Sequence, residues 1–201
     1  MERWATFDCY GTLVDWNAGI RAVVGDELLE RYHEIEPQVE SEHPLLSYRE
    51  VMRETLRQLD VANVDALGES LPGWPVFPEV PEALGRAREA GWKLAILSNT
   101  DRDFIEASMR NIGVPFELAI VASEAGSYKP ALGHWRAFER DVGRLPDVHV
   151  AASHFHDVVP ATQLGIPTVW INRLDEHGDP APTRELHDLA PLAETLADLA
   201  D

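Results

Sequence analysis

RWATFDCYGT, residues 3–12, joins a short apolar run to an acidic residue and a glycine turn. The run from Arg3 to Phe7 predicts a buried strand that stops at Asp8 and turns through Gly11. Such a strand presents its carboxylate at the carboxyl edge of a sheet, where open α/β folds bind their ligands. We therefore expect Asp8 to be a nucleophile that forms a covalent ester.

Four further apolar runs follow the first, at residues 93–97, 118–122, 148–152 and 166–171. They alternate with amphipathic segments that each precede a glycine and predict helices, at residues 80–90, 103–111, 131–142 and 158–164. Strands and helices in alternation indicate a parallel sheet with right-handed crossovers. The predicted fold class is α/β, with a Rossmann-like parallel sheet.

The region between the first two strands has no strand-like run but has helical patterns at residues 17–36, 48–60 and 63–70. We predict a helical cap domain over residues 15–77, inserted into an α/β core made of residues 1–14 and 78–201. Its position directly after Asp8 suits a lid over the site. The end of the chain is predicted as a polar loop, residues 175–183, and a helix, residues 184–199.

Composition limits the classes of partner. The chain has 201 residues, 45% of them hydrophobic, and a formal net charge of −18. This charge argues against nucleic acid and anionic membranes as partners, and an anionic substrate would need a local positive pocket. No apolar run approaches a membrane span, no secretory signal is recognisable, and Cys9 is the single cysteine, so we expect a cytoplasmic protein.

Polar clusters follow three of the other predicted strands. Residues 98–100 (Ser-Asn-Thr) suit either anion binding or capping of the next helix. Lys129 lies at a strand-to-helix corner, where it would favour the ionised form of Asp8. The two histidines and the acid of residues 153–157 (Ser-His-Phe-His-Asp) could belong to a zinc site, but the sequence shows no further ligands that would converge on it. We favour Asp157 as a charge at the mouth of the site, with one histidine orienting it or a water.

Together these motifs carry a family resemblance. The order Asp8, Ser98-Asn99, Lys129-Pro130 and Asp157, with a helical insertion after the first motif, resembles the haloacid dehalogenase superfamily with a helical cap. Residues 165–173 (GIPTVWINR) look like the 2-haloacid dehalogenase branch in particular. The resemblance covers nearly the whole chain.

Two positions favour halide over phosphate as the leaving group. Phosphatases of the superfamily carry a second aspartate two residues after the nucleophile to protonate the leaving alcohol, and this chain has Tyr10 there. Halide leaves without a proton. They also place a magnesium-binding acid where this chain has Ser153. We therefore predict a metal-independent hydrolase without a cofactor. The alternatives are a Mg²⁺-dependent phosphatase, or a protein of this fold with a different or no hydrolytic substrate.

The resemblance implies a role for each motif residue. Asp8 displaces halide, Lys129 keeps Asp8 ionised, and water near Asp157 hydrolyses the ester. The predicted substrate is a small anionic organic molecule, and an apolar cap face could mediate homodimerisation. The resemblance further implies that substrate or leaving group is bound by Tyr10, Thr12, Ser98, Asn99, Ser153, His154 and Arg31.

Two of these roles have their own alternatives. Arg31 is the nearest match to the cap arginine that holds the substrate carboxylate in the family, with Arg49 as the other candidate. Trp16 and Tyr48 would wall the pocket and exclude water, or would only pack the cap.

Overall fold

A computed structural model describes residues 2–200, which form a parallel six-stranded sheet with helices. The strands are β1 (Arg3–Phe7), β2 (Trp92–Ser98), β3 (Leu118–Val121), β4 (Val148–Ala151), β5 (Thr168–Ile171) and β6 (Arg184–Leu186). Their order in the sheet is β3-β2-β1-β4-β5-β6. The predicted α/β class with a Rossmann-like sheet is confirmed.

Ten α-helices accompany the sheet in the described range. They are α1 (Trp16–Val24), α2 (Asp26–Glu42), α3 (Tyr48–Gln58), α4 (Ala66–Ser70), α5 (Val80–Glu89), α6 (Arg102–Ile112), α7 (Ala122–Ala125), α8 (Gly133–Val142), α9 (Val159–Gln163) and α10 (Leu192–Leu199). A short 3₁₀ turn at Leu71–Gly73 precedes the linker to α5. A short π-helical turn at His154–Val158 precedes α9. Within residues 2–200, none of the helices is both long and apolar enough to cross a membrane.

Both faces of the sheet are covered by apolar packing. In β2, Leu94 and Ile96 belong to one buried cluster, and the alternate residues Ala95 and Leu97 belong to the other. Because side chains alternate across a strand, the two clusters lie on opposite faces. Burial on both faces explains why these strands read as continuous apolar runs rather than as alternating patterns.

The segment between β1 and α5 is helical, as predicted, but the helix predicted over residues 17–36 is two helices. Gly25 separates α1 from α2 with φ 78° and ψ 170°, a backbone conformation that residues with a Cβ rarely adopt. The second helix continues through Pro37 to Glu42. It therefore places Glu36 and Glu40 four residues apart, on one helical face. The boundaries of the cap domain at residues 15 and 77 stay a prediction.

The end of the chain differs from the prediction of one helix over residues 184–199. Arg184–Leu186 forms β6, which pairs in parallel with β5 so that Arg184 lies opposite Val169 and Leu186 opposite Ile171. Only Leu192–Leu199 is helical. The strand is short and largely exposed. Its three residues carry no strand pattern of their own, so the prediction was wrong because sheet pairing overrides local propensity at this edge.

Candidate active site

The site lies where β1 meets its two neighbours in the sheet. Asp8 follows β1, Ser98 ends β2, and Asp157 lies in the turn after β4. Because β1 pairs with both β2 and β4 in parallel, the three residues meet at one edge. The backbone N–H of Asp8 also donates to the carbonyl of Val150 at 3.0 Å, which extends the ladder to the acid itself.

Lys129 joins the two acids. Its side chain is 1% exposed, and Nζ donates to Asp8 Oδ1 at 2.9 Å, to Asp157 Oδ1 at 2.6 Å and to the carbonyl of Leu97 at 2.9 Å. Three acceptors use all three donors of the ammonium. The amine is therefore held rigidly between the two carboxylates.

The charges of this triad explain its pKa shifts. Burial opposes the charged form of Lys129, but the charges of Asp157 and Asp8 outweigh it and raise the pKa of the amine. Burial likewise acts against the charged form of Asp157, yet Lys129 and a hydrogen bond from His149 hold the pKa of this carboxyl below its ordinary value. Burial raises the pKa of Asp8, and the ammonium and Thr12 act in the opposite direction. Lys129 is thus protonated, and its charge favours the ionised forms of Asp8 and Asp157 in this buried place.

Thr12 holds the other carboxylate oxygen of Asp8. Its hydroxyl donates to Asp8 Oδ2 at 2.9 Å and accepts the N–H of Ala152 at 2.8 Å. The turn at Gly11, with φ 88°, carries the chain back so that Thr12 reaches the acid four residues before it. Both oxygens of Asp8 therefore have a donor, and the carboxylate is held in one orientation.

His149 belongs to the site although sequence analysis did not select it. Its ring is buried in β4, with Nε2 2.8 Å from Asp157 Oδ1 and Nδ1 2.9 Å from Thr6 Oγ1. Asp157 Oδ1 thus faces both Lys129 and His149. The sequence does contain a sign of this role, because His149 is the one polar residue in a predicted strand whose other residues are apolar. A buried polar side chain needs a hydrogen-bond partner.

Asn99 is turned toward the backbone of Lys129. Its Oδ1 accepts the Lys129 N–H at 2.6 Å, and its Nδ2 donates to the Lys129 carbonyl at 3.1 Å and to Glu40 Oε2 at 3.5 Å. Both amide hydrogens have acceptors, so Asn99 positions the lysine and is not a free donor for halide. The helix-capping alternative also does not hold, because Asp101 is the N-cap residue of α6. Ser98 is 1% exposed, and its Oγ has no hydrogen-bond partner among the described residues.

Of the polar residues that follow β4, some line the cavity and one packs in the protein interior. Ser153 Oγ accepts the backbone N–H of His156 at 3.2 Å and lies 3.0 Å from Nδ1 of the same histidine, and both residues line the cavity. His154 instead donates through Nε2 to the carbonyl of Pro180 at 2.9 Å and packs edge-on against Trp170. It does not line the cavity. This placement does not support the substrate-binding role predicted for His154, which stays a prediction.

Arg31 lies outside the cavity. Its side chain is 61% exposed and pairs with Glu34 at 2.5 Å. Five residues along a helix rotate a side chain by about 140°, so Arg31 points away from the face that carries Glu36. Arg49, the other candidate, pairs with Asp103 at 2.6 Å and also lies outside. Neither position supports the predicted binding of a substrate carboxylate.

A cavity of about 650 Å³ separates the helical insertion from the sheet edge. Tyr10 lines it, with its hydroxyl 3.0 Å from Ser108 Oγ, and its ring stacks on Tyr48 with centroids 6.4 Å apart. Trp16 Nε1 donates to the Tyr48 hydroxyl at 3.3 Å. The residues of the insertion that line the cavity are Asp15, Trp16, Asn17, Arg21, His33, Glu36, Pro37, Glu40, Tyr48 and Phe77. Burial lowers the pKa of the His33 and His156 imidazoles, which favours their neutral forms.

The donor set at the sheet edge does not fit a magnesium ion. The Lys129 ammonium lies between Asp8 and Asp157, at 2.9 and 2.6 Å from their oxygens. Over residues 2–200, no three histidine, cysteine, aspartate or glutamate side chains converge in a way that could hold a metal. Mg²⁺ prefers several oxygen ligands, including carboxylates, without a competing cation between them.

Comparison with known proteins agrees with this geometry. A family model described as a haloacid dehalogenase-like hydrolase matches residues 3–150. The (S)-2-haloacid dehalogenase of Pseudomonas sp. (strain YL) is 29% identical over 192 residues, which cover 83% of this chain and 81% of that protein. The (S)-2-haloacid dehalogenase 1 of Pseudomonas sp. (strain CBS-3) is 25% identical, over 96% of this chain and 94% of that protein.

The fold has a similar counterpart among solved structures. The L-2-haloacid dehalogenase from Xanthobacter autotrophicus superimposes with a TM-score of 0.81, at 20% identity, over 98% of this chain and 99% of that one. At this identity the likeness concerns the fold. The match of the family model over most of the chain shows the family itself: this chain belongs to the haloacid dehalogenase-like hydrolases.

Proposed function

We propose that this chain hydrolyses carbon–halogen bonds in small organic molecules through a covalent ester on Asp8. The observation that carries the proposal is the buried Lys129 ammonium between Asp8 and Asp157, whose positive charge favours the ionised form of the Asp8 nucleophile without a metal. Tyr10 agrees with it, because a carboxyl group for protonating a leaving alcohol is missing at that position. The two relatives named (S)-2-haloacid dehalogenase support the same reaction type.

In the first step, an oxygen of Asp8 attacks the halogen-bearing carbon. The new C–O bond forms as the C–halogen bond breaks, and the electron pair leaves with the halide. Lys129 and Thr12 hold the carboxylate in the orientation for attack. We assign the halide contact to the Ser98 hydroxyl, because the donors of Asn99 are already used.

In the second step, water attacks the carbonyl carbon of the Asp8 ester. Asp157 Oδ1 is bound by Lys129 and His149, whereas Oδ2 has no partner among residues 2–200. We place the hydrolytic water at Oδ2, which accepts its proton. The tetrahedral intermediate collapses, the C–O bond to the product breaks, and the proton on Asp157 passes to the alkoxide. The second proton of the water leaves to solvent as Asp8 ionises again. Asp8 then retains the oxygen atom of the water.

Isotope labelling tests this mechanism. In a single turnover in H₂¹⁸O, we expect heavy oxygen in the peptide that contains Asp8, and none in the peptide that contains Asp157. Halide release from 2-chloropropionate and other small chlorides in EDTA measures turnover, and Asp8→Asn should abolish it. Turnover without label on Asp8 would refute the mechanism. Hydrolysis of p-nitrophenyl phosphate only after addition of Mg²⁺ would favour the phosphatase alternative.

Four narrower predictions accompany the proposal. Independence from metal follows from the donor set. The cytoplasmic location rests on the single cysteine, and homodimerisation rests only on the apolar cap face expected from the sequence. The small anionic substrate expected from the sequence is the class named for the 2-haloacid relatives. In the test above, 2-chloropropionate represents that class.

A further inference from the structure

The wall of the cavity that the helical insertion forms carries a polar cluster that the reaction at Asp8 does not use. Asn17 and Arg21 belong to α1, His33 belongs to α2, and all three line the cavity. Asn17 and Arg21 are four residues apart and therefore lie on one face of their helix. We call Asn17, Arg21 and His33 the cap cluster.

Arg21 has a guanidinium group that is only partly engaged. Its Nε lies 2.7 Å from Asp26 Oδ1, and the two side chains are 48% and 86% exposed. An ion pair this exposed contributes little to stability. Within residues 2–200 it is the one ion pair of Arg21, and it leaves the terminal nitrogens Nη1 and Nη2 unused. These two nitrogens form the planar fork that binds a carboxylate with two parallel hydrogen bonds.

The other basic side chains of the cavity are balanced by enclosed acids. Lys129 is held by the two aspartates of the sheet edge. Arg173 donates through Nη2 to Glu79 at 2.6 Å and to the carbonyl of Thr12 at 3.2 Å. No further lysine or arginine of the described chain lines the cavity. Arg21 is therefore the cation of the cavity whose charge is balanced only by an exposed acid.

His33 adds an enclosed nitrogen without a partner. Its ring stacks on Trp16, with centroids 4.7 Å apart and planes 11° from parallel. Nε2 of His33 and Oδ1 of Asn17 are buried and have no hydrogen-bond partner among residues 2–200. Because buried polar atoms are normally hydrogen-bonded, two such atoms in one wall of a cavity indicate a polar ligand. An imidazole and an amide both carry N–H groups that can donate to a carboxylate.

The buried acids of the insertion do not cancel the charge of Arg21 at neutral pH. Burial raises the pKa of Glu36 to about 7, and burial together with the charge of Glu36 raises the pKa of Glu40 to about 9. Glu40 is therefore uncharged at neutral pH, and Glu36 is only partly ionised. Asp15, which also lines the cavity, accepts the backbone N–H of Ala18 at 2.9 Å. An anionic group thus meets little repulsion from these acids as it approaches Arg21.

We propose that Arg21, assisted by His33, binds the carboxylate of the haloacid substrate and determines the preference of this chain for acids over neutral halides. The inference rests on the proposed carbon–halogen hydrolysis and names the residues that select its substrate. It assigns this role to α1, whereas the family resemblance pointed to Arg31 or Arg49, which lie outside the cavity. The acid group binds at the cap cluster, and the halogen-bearing carbon faces the sheet edge.

Two chlorides that differ in charge test the role of Arg21. We compare kcat/KM for halide release from 2-chloropropionate and from its neutral amide, 2-chloropropionamide. Arg21→Gln should lower kcat/KM for the acid at least about tenfold, mainly through KM, and change kcat/KM for the amide less than about twofold. Arg140→Gln, exposed on α8 and outside the cavity, is the control and should behave as the parent protein. An unchanged ratio of acid to amide in Arg21→Gln would overturn the inference.

A second variant tests the contribution of His33. His33→Phe keeps an aromatic ring to stack on Trp16 and removes both ring nitrogens. The ratio of acid to amide should fall by about 2- to 10-fold, which corresponds to one hydrogen bond. An equal fall in kcat/KM for both chlorides would mean that His33 only packs the cap, and would contradict its part in binding the acid.

A binding experiment separates this inference from the proposed reaction. Calorimetric titration with propionate and with propionamide, neither of which can release halide, measures the charge preference of the cavity alone. We expect tighter binding of propionate, and loss of the difference in Arg21→Gln. Equal binding of the two ligands, no detectable binding of propionate, or a difference that survives in Arg21→Gln would overturn the inference. Selective binding of propionate that depends on Arg21, without halide release from any chloride, would instead refute the reaction and leave the carboxylate site standing.

Discussion

His149 Nε2 lies 2.8 Å from Asp157 Oδ1, and both side chains are almost completely buried. Together with Lys129, the imidazole uses the Oδ1 side of the carboxylate, which leaves Oδ2 as the acceptor for water. In the proposed mechanism, His149 therefore orients Asp157, the acid of the second step, without contacting the reacting atoms, and acts as a positioning residue.

The first prediction concerns His149. Replacing it with Gln should slow hydrolysis of the ester by about 10- to 100-fold, because such outer partners of a functional group typically contribute this much. Formation of the ester should be affected less, so the ester should accumulate on Asp8. Rapid-quench mass spectrometry measures both steps. His187→Gln, at an exposed position outside the cavity, serves as the control. Equal slowing of both steps would contradict the positioning role.

The second prediction concerns Lys129. Lys129→Met removes the only cation between two buried carboxylates, so one of them must take up a proton or remain charged without a partner. We expect the free energy of unfolding to fall by about 3–5 kcal/mol at neutral pH, and activity to disappear. Urea denaturation measures the stability. The double variant Lys129→Met with Asp157→Asn should recover part of it, and a failure to do so would mean that lost packing dominates.

The third prediction concerns pH. Glu36 and Glu40 have pKa values of about 7 and about 9 in the folded protein, above the ordinary value of 4.5, so the folded state holds protons that the unfolded chain has released. Their contribution to the free energy of unfolding is complete below pH 4.5 and is lost as the pH rises to about 9. Glu40→Gln cannot lose this proton. Its stability relative to the parent should therefore rise by more than about 1 kcal/mol between mildly acidic and alkaline pH.

The variant Glu30→Gln serves as the control for this pH dependence. Denaturation curves of Glu30→Gln should run parallel to those of the parent protein at every pH, since this side chain is exposed. A parallel course for Glu40→Gln as well would show that the cap carboxyls do not bind extra protons on folding.

The fourth prediction concerns the junction of α1 and α2. Gly25 has φ 78° and ψ 170°, and a Cβ added there would meet no atom within 4 Å. Gly25→Ala should therefore destabilise by backbone strain alone, at about 1–3 kcal/mol. Gly85→Ala, inside α5 and equally free of contacts, should stabilise by up to about 1 kcal/mol. Thermal denaturation of both variants checks the pair, and equal effects would contradict the argument.

Much of the core fold was predictable because its elements bury apolar runs of the right length. The five predicted strands match β1 to β5 to within two residues at each end, and Asp8 stands directly after β1. The sixth strand was missed, since Arg184–Leu186 is exposed and owes its shape to pairing with β5. The single helix predicted at the start of the insertion overlooked the break at Gly25.

Sequence by itself determined the α/β class, the position of Asp8 directly after the first strand, and the absence of a second aspartate at Tyr10, because each depends on local pattern and chain order. Tertiary structure alone decided which side chains share the cavity. In the folded chain, His149 contacts Asp157 and Glu40 contacts Asn99. Arg31 and His154 instead bind partners outside the cavity. The position of a residue around its helix and the order of strands in the sheet decide these contacts, and both bring together groups that lie far apart along the chain. The charge of the cavity follows from that placement.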